Sequence, residues 1–271
     1  MRKMLLPLML LSTLMGVSAR AQIMTNPVQD YINKTTLLNN ILSNRRATDM
    51  SQKAQTKGAS TNRRAAGAPA GAAPETTRFN PAGTYLLPKL LAEKVGGGAA
   101  GRVEAERFFT SLLNLYERTA QKDGFPANDL AYAFEYFVVN SYMIYHDLHD
   151  VDYEKDPRVK RGRDAFDRLT IINEKKLLKV TPYQERAVYN QLKTLLTGSP
   201  EVQRMTDRQK QELTELLAIM FGVNYTAYMK GVNGEDEGLM GQSRQAAKAH
   251  LEKLIGVPVE RIKIGNEGLH Q

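Results

Sequence analysis

Residues 128–148 read NDLAYAFEYFVVNSYMIYHDL, and this stretch decides the fold. Leu130, Phe134, Phe137, Ser141, Ile144 and Leu148 recur at spacings of three and four, which places them on one helical stripe. Ala131, Tyr132, Ala133, Tyr136, Val138, Val139 and Met143 make most of the other faces apolar as well. A helix that is apolar nearly all round is buried on every side, so it belongs at the centre of a bundle. Asn128 is a residue type favoured as an N-cap, and the spacing predicts a central helix over about 129–148.

The flanking sequence supplies the partners for that helix. Upstream, 86–95 is a short helical run stopped by consecutive glycines. A longer helix follows over about 102–122, with Ala105, Phe108, Phe109, Leu112, Leu115 and Tyr116 inward and Gly124 as its stop. Downstream, Asp156-Pro157 opens a helix to about Leu178, with Phe166, Leu169 and Ile172 expected inward. Thr181–Gln184 and Thr206–Gln209 both carry the capping-box pattern. They predict helices over 182–197, with Leu192, Leu195 and Leu196 inward, and over 207–230, stopped by Gly231. A last helix covers about 241–255, and the tail adds a short extended piece near 261–264. No alternating pattern long enough for a sheet strand is present. The expected architecture is all-α: a single globular bundle of about seven helices over 79–271, after a disordered N-terminal tail.

The N-terminal quarter reads differently. Residues 1–21 have the layout of a secretory signal peptide: Arg2 and Lys3, an apolar run over 4–15, then Ala19-Arg20-Ala21 before a cleavage point at Gln22. That apolar run is too short to span a bilayer, which takes about 20 residues, and no other run is longer. No transmembrane segment is therefore expected in the mature chain, and the expected location is periplasmic or secreted. Residues 22–78 form a flexible basic tail with a short amphipathic helix possible over 28–42. From 43 to 77 aromatic residues are absent, and 65–74 reads AAGAPAGAAP, too poor in apolar surface to offset its chain entropy.

Charge and cysteine usage exclude several classes. The net charge of +8 sits wholly in the signal and the tail, and 79–271 carries equal numbers of acidic and basic residues. The folded part has no overall basic field, so nucleic acid is not an expected partner of 79–271. The chain has no cysteine, which removes disulfide scaffolds, thiol nucleophiles, Cys-ligated zinc and a lipidated N-terminal Cys.

The candidates for chemistry are few. His146 and His149 lie i, i+3 at the end of the central helix, close to Asp147 and Asp150, a spacing that turns two imidazoles toward one metal. Glu135 is too far along the helix to share that ion, at about 16 Å. Asp150, Asp152, Glu154 and Asp156 imitate the start of a calcium loop, but Lys155 and Arg161 stand where Gly and Glu are required. A second acidic loop, Asn233, Glu235, Asp236 and Glu237 together with Gly234 and Gly238, reads as a solvated turn. The glycines of 96–101 before Arg102 lack the lysine of a phosphate loop, and no cofactor-binding motif occurs. Glu104 with Glu106 and Glu212 with Glu215 are paired carboxylates that read as exposed helix residues. Tyr132, Tyr136, Tyr142 and Tyr145 crowd the central helix, and Tyr225 and Tyr228 a later one; they read as core, or as the lining of a ligand groove.

Three stretches carry a family resemblance: Phe79-Asn80-Pro81-Ala82-Gly83 with Leu86-Leu87-Pro88; Asn128-Asp129-Leu130-Ala131 leading to Ser141-Tyr142-Met143-Ile144-Tyr145; and Leu251-Glu252-Lys253-Leu254-Ile255-Gly256-Val257 with Gly268-Leu269. Through them the chain resembles an uncharacterised family of exported bacterial proteins, a domain of unknown function. The resemblance implies a bacterial source and carries no activity.

With no motif that fixes a reaction, the sequence favours a non-enzymatic interaction or envelope-associated module, whose partner is a protein or an envelope component. Two alternatives stand beside it: a metal-dependent enzyme using His146 and His149, and a small-ligand binder lined by tyrosines of the central helix.

Overall fold

The computed structural model describes residues 76–95, 97–149, 157–160 and 162–270. The predicted signal peptide, the 28–42 helix, the linker and the acidic run at 150–156 lie outside the described residues. Among those described, the helices are α1 (Leu87–Val95), α2 (Ala99–Asp123), α3 (Leu130–Tyr145), α4 (Pro157–Lys160), α5 (Ala165–Leu178), α6 (Pro182–Thr197), α7 (Pro200–Arg204), α8 (Asp207–Gly234) and α9 (Glu237–Ile255). Seven of these have nine residues or more, and the fold is all-α. A 3₁₀ turn over Val259–Arg261 leads into a hairpin of β1 (Lys263–Gly265) and β2 (Gly268–His270), antiparallel with Ile264 opposite Leu269. The extended piece near 261–264 thus becomes half of a hairpin. Gln191 of α6 holds β2 by accepting the Leu269 N–H at 2.7 Å and donating to its carbonyl at 2.9 Å.

The central helix sits where its composition puts it. α3 packs on α6, α8 and α9, while α2 bridges α1 and α8. Leu130, Ala131, Tyr132, Ala133, Phe137 and Ile144 are all essentially buried. Burial of such side chains contributes roughly 1.5–3 kcal/mol each for the larger ones, so α3 is the main source of core energy. Its cap is Asp129 rather than Asn128: Asp129 Oδ1 accepts the Ala131 N–H at 2.9 Å. Asn128 instead ties the lead-in segment down, donating from its side chain to the Phe79 carbonyl at 2.8 Å. Its own carbonyl accepts the Phe79 N–H at 3.2 Å. Both capping boxes form as read, Thr181 with Gln184 and Thr206 with Gln209.

The helices differ from the sequence reading in three places. The helix expected over 156–178 is two pieces, α4 and α5, with Gly162 between them. α5 turns out part of the side expected inward: Phe166 and Leu169 are exposed, Ile172 is half-buried, and Lys175 is its one buried residue. Leu195, also expected inward, is exposed. α8 runs through Gly231 to Gly234, because Gly231 serves close packing rather than termination. A Cβ there would stand 2.8 Å from Met240 Cγ and 2.9 Å from the Met240 N, so only glycine lets α9 approach. The acidic loop is consequently a tight corner, with Glu235 left-handed and Asp236 capping α9 through the Leu239 N–H at 3.0 Å.

Candidate functional site

A cleft of about 450 Å³ opens between the lead-in segment over 79–87, α2 and α8. Its volume lies in the range of small-ligand pockets. Phe79, Leu113 and Tyr116 give apolar and aromatic walls; Glu117 and Glu215 bring two carboxylates; no lysine or arginine lines it. The lead-in segment is fastened over the cleft by α8. Glu215 accepts the Leu86 and Leu87 N–H groups at 2.8 Å each, and Gln211 donates to Glu215 at 2.8 Å. Gln211 also accepts the Ala82 N–H at 2.8 Å and donates to the Thr84 carbonyl at 2.9 Å. Glu215 therefore caps the otherwise unpaired N–H groups at the start of α1. Burial pushes its carboxyl above the usual range, against the hydrogen bonds, which pull it down.

The reading of Glu212 and Glu215 as an exposed pair is corrected here, since Glu215 is buried and only Glu212, paired with Arg208 at 3.0 Å, meets solvent. Glu104 and Glu106 are exposed, as expected. Thr214 is 4% exposed, and its hydroxyl has no hydrogen-bond partner among the described residues. Tyr85, at the cleft mouth, donates to Asn114 Oδ1 at 2.9 Å. Burial and the neighbouring Glu117 both raise its phenol.

The tyrosines of α3 face elsewhere. Tyr132 and Tyr136 belong to an aromatic column through the core. The Arg186 guanidinium lies 3.8 Å over Phe125, which stacks on Tyr132 at 4.8 Å. Tyr116, Tyr136 and Phe221 continue the column with centroid spacings between 5.0 and 5.3 Å. Tyr145 reaches the surface and donates to Glu260 at 3.2 Å. None of the α3 tyrosines lines the cleft; Tyr85 and Tyr116 do.

His146 and His149 were expected on one helical face, and that premise fails. α3 ends at Tyr145, His146 is its C-cap, and Asp147 adopts φ 54°, so the chain leaves the helix between the two rings. The His146 ring packs on Tyr142 and Tyr145. His149 folds back into an aromatic setting of Phe221, Tyr225 and Tyr228. Its Nε2 donates to the Asn140 carbonyl at 3.1 Å. Asp147, between them, is buried against Arg244 at 2.6 Å. Among the described residues no group of three or more His, Asp or Glu is arranged to hold a metal ion. Asp150, Asp152, Glu154 and Asp156 lie outside those residues.

One buried acid escaped the sequence reading. Glu135, in the middle of α3, is 3% exposed. Burial holds its carboxyl well above the usual range, reinforced by Glu185 and Asp123 and offset by Arg186. Its being the single charged residue of an otherwise apolar helix is the available signal.

A family of unknown function (DUF6683) matches residues 1–173 and 179–271. The chain belongs to this family. No similar curated protein and no similar solved structure was found. Membership in DUF6683 brings no reaction, ligand or partner with it, so a function must rest on the surfaces just described. Among the described residues no helix is long and apolar enough to cross a membrane.

Proposed function

We propose that the chain is a non-enzymatic envelope-associated module that lies on an anionic lipid surface through α5. The observation that carries this reading is the exposed apolar side of that helix. Phe166 is 80% exposed and Leu177 is 86% exposed, with Leu169 and Leu178 also exposed. At 100° per residue Phe166, Leu169 and Leu177 fall within about 80° of arc, with Lys175 roughly opposite. Asn173 lies between Leu169 and Leu177 on this side, but three large apolar side chains exposed along one side of a 14-residue helix still call for a partner.

The occupant is argued from charge. Residues 157–163 read PRVKRGR, four bases between the acidic run at 150–156 and the α5 N-cap Asp164; Lys160 pairs with Glu235 and Arg163 with Asp167, and 22–78 adds a further basic excess. An interfacial helix binds through its apolar face together with attraction between bases and anionic headgroups, the latter about 1 kcal/mol per Lys or Arg near the surface. One apolar stripe alone gives marginal, reversible attachment, and the polybasic run supplies a second signal. Export belongs to the same reading: with small residues at Ala19 and Ala21, the exported chain begins at Gln22. Intact-mass measurement of the exported form checks this, and a mature chain that retains Met1 refutes it.

Vesicle flotation tests the lipid reading. The purified chain is expected to float with vesicles of phosphatidylglycerol and phosphatidylcholine and to stay behind with phosphatidylcholine alone. The double substitution Phe166→Asp with Leu177→Asp should abolish flotation. Equal behaviour on the two vesicle types, or an undiminished double variant, would overturn the proposal.

A further inference from the structure

We propose that the cleft between the lead-in segment, α2 and α8 binds a small organic cation, an ammonium group carried on an apolar body. This site is separate from the α5 surface and does not depend on it. Three observations converge on it.

The first is charge without a counter-charge. The lining brings two carboxylates, Glu117 and Glu215, and no base. Glu215 is held by N–H donors alone, and among the described residues no Lys or Arg pairs with it. Hydrogen bonds from Leu86, Leu87 and Gln211 offset part of the cost of this buried carboxylate, and a bound ammonium supplies the counter-charge they lack. Glu117 is exposed at the rim, where it meets a cation before the cation is fully desolvated.

The second is the wall chemistry. Phe79, Tyr85 and Tyr116 line the same space as the carboxylates. Aromatic faces attract cations, most strongly where water is excluded, and they take up an apolar body as well. An anionic ligand would meet repulsion from both carboxylates, and a neutral one would leave the charge unanswered.

The third is Thr214. It lines the cleft, is nine-tenths buried, and its hydroxyl has no partner among the described residues. An unmade hydrogen bond at a buried position destabilises the protein that carries it. Threonine in a helix has two accessible χ1 rotamers, so rotation exchanges its methyl for its hydroxyl at the cleft wall. A ligand N–H would then find an acceptor there. The position is suboptimal for the empty protein and useful for the occupied one.

Phenethylammonium is the probe, with 2-phenylethanol as its neutral analogue and 3-phenylpropionate as its anionic one. Titrations of the purified full chain are followed by calorimetry or ligand-observed NMR. The expected result is saturable binding of the amine, at least about tenfold tighter than the alcohol, with no binding of the acid. Glu117→Gln should weaken the amine about tenfold, and Glu117→Lys, which places a cation at the exposed mouth, should abolish its binding. Thr214→Val should leave the empty protein as stable or more stable while weakening the amine several-fold. Equal binding of amine and alcohol, absence of amine binding, or full binding by Glu117→Lys would overturn the proposal.

Discussion

Glu215 Oε2 accepts the Leu87 N–H at 2.8 Å across 128 residues of chain, so α8 caps the first turn of α1. The same carboxylate holds the Leu86 N–H, while its neighbour Gln211 holds Ala82 and Thr84. Replacing Glu215 with Ala strands two backbone donors and a side-chain amide in a buried place. The expected cost is about 3 kcal/mol, since each orphaned buried group costs about 1–3. Glu212→Ala, three residues earlier and partly exposed with only an i, i+4 partner in Arg208, should cost less than about 0.5 kcal/mol. Urea denaturation of the two variants side by side checks the contrast, and equal losses would contradict it.

Arg244 and Asp147 provide a second expectation. Asp147 is buried in a left-handed conformation just past α3, and Arg244 of α9 donates to its Oδ2 at 2.6 Å. Removing Arg244 takes away the close partner of a buried carboxylate, which the Lys175 charge then compensates only in part. Arg244 is one-third exposed, which discounts the effect, so Arg244→Met should cost about 2 kcal/mol. Because the pair fixes the turn that carries His146 and His149, the variant should also shift the NMR signals of both imidazoles. Unshifted imidazole signals would show that Arg244 does not hold that turn.

Much of this architecture is legible in the sequence, and what is not has a physical reason. Periodicity placed α3 at the centre because an all-round apolar helix admits only one location. Both capping boxes formed because they are satisfied within four residues. Helical spacing puts Phe166, Leu169 and Ile172 toward one side of α5 but does not say which way that side points. Gly231 was read as a stop because its other use, close approach to Met240, depends on a neighbour that only folding supplies. Asp129 took the cap from Asn128 because tertiary bonds to Phe79 claimed the asparagine. The cleft was invisible for the same reason: Phe79, Tyr116 and Glu215 come from three distant stretches and meet only when α1 is capped.

Glu135 sets one arm of the pH dependence. Its folded carboxyl lies well above the ordinary 4.5, chiefly through burial. A raised folded value means its contribution is fully present below about 4.5 and is lost as pH rises through the folded value. Glu135→Gln keeps the shape and removes the titration, so it should raise the Tm at pH 8 and change little at pH 4.5. Thermal melts across that window check the sign. A variant destabilised at pH 8 would mean that the ionised carboxylate has a stabilising partner.

His250 sets the opposite arm. Its ring lies 5.9 Å from Phe137, and burial, aided by Lys253, pulls its imidazole from 6.5 down to about 4. A depressed folded value means stability is present above 6.5 and is lost as pH falls toward 4, because the unfolded chain takes up the proton first. A displacement of this size corresponds to a loss of about 3 kcal/mol between those limits. His250→Leu suits the apolar contact with Phe137 and cannot be protonated, so its stability should decline less than the native chain's between pH 6.5 and pH 4.5. Over that range Glu135 acts in the other direction, so the native chain should be most stable in mildly acidic solution and the His250→Leu chain at lower pH still. Urea midpoints at half-unit pH intervals, with native chain and variant measured together, read out both slopes. If the two chains lose stability in parallel below pH 6.5, the imidazole is not the group responsible, and another buried site must be taking up the proton.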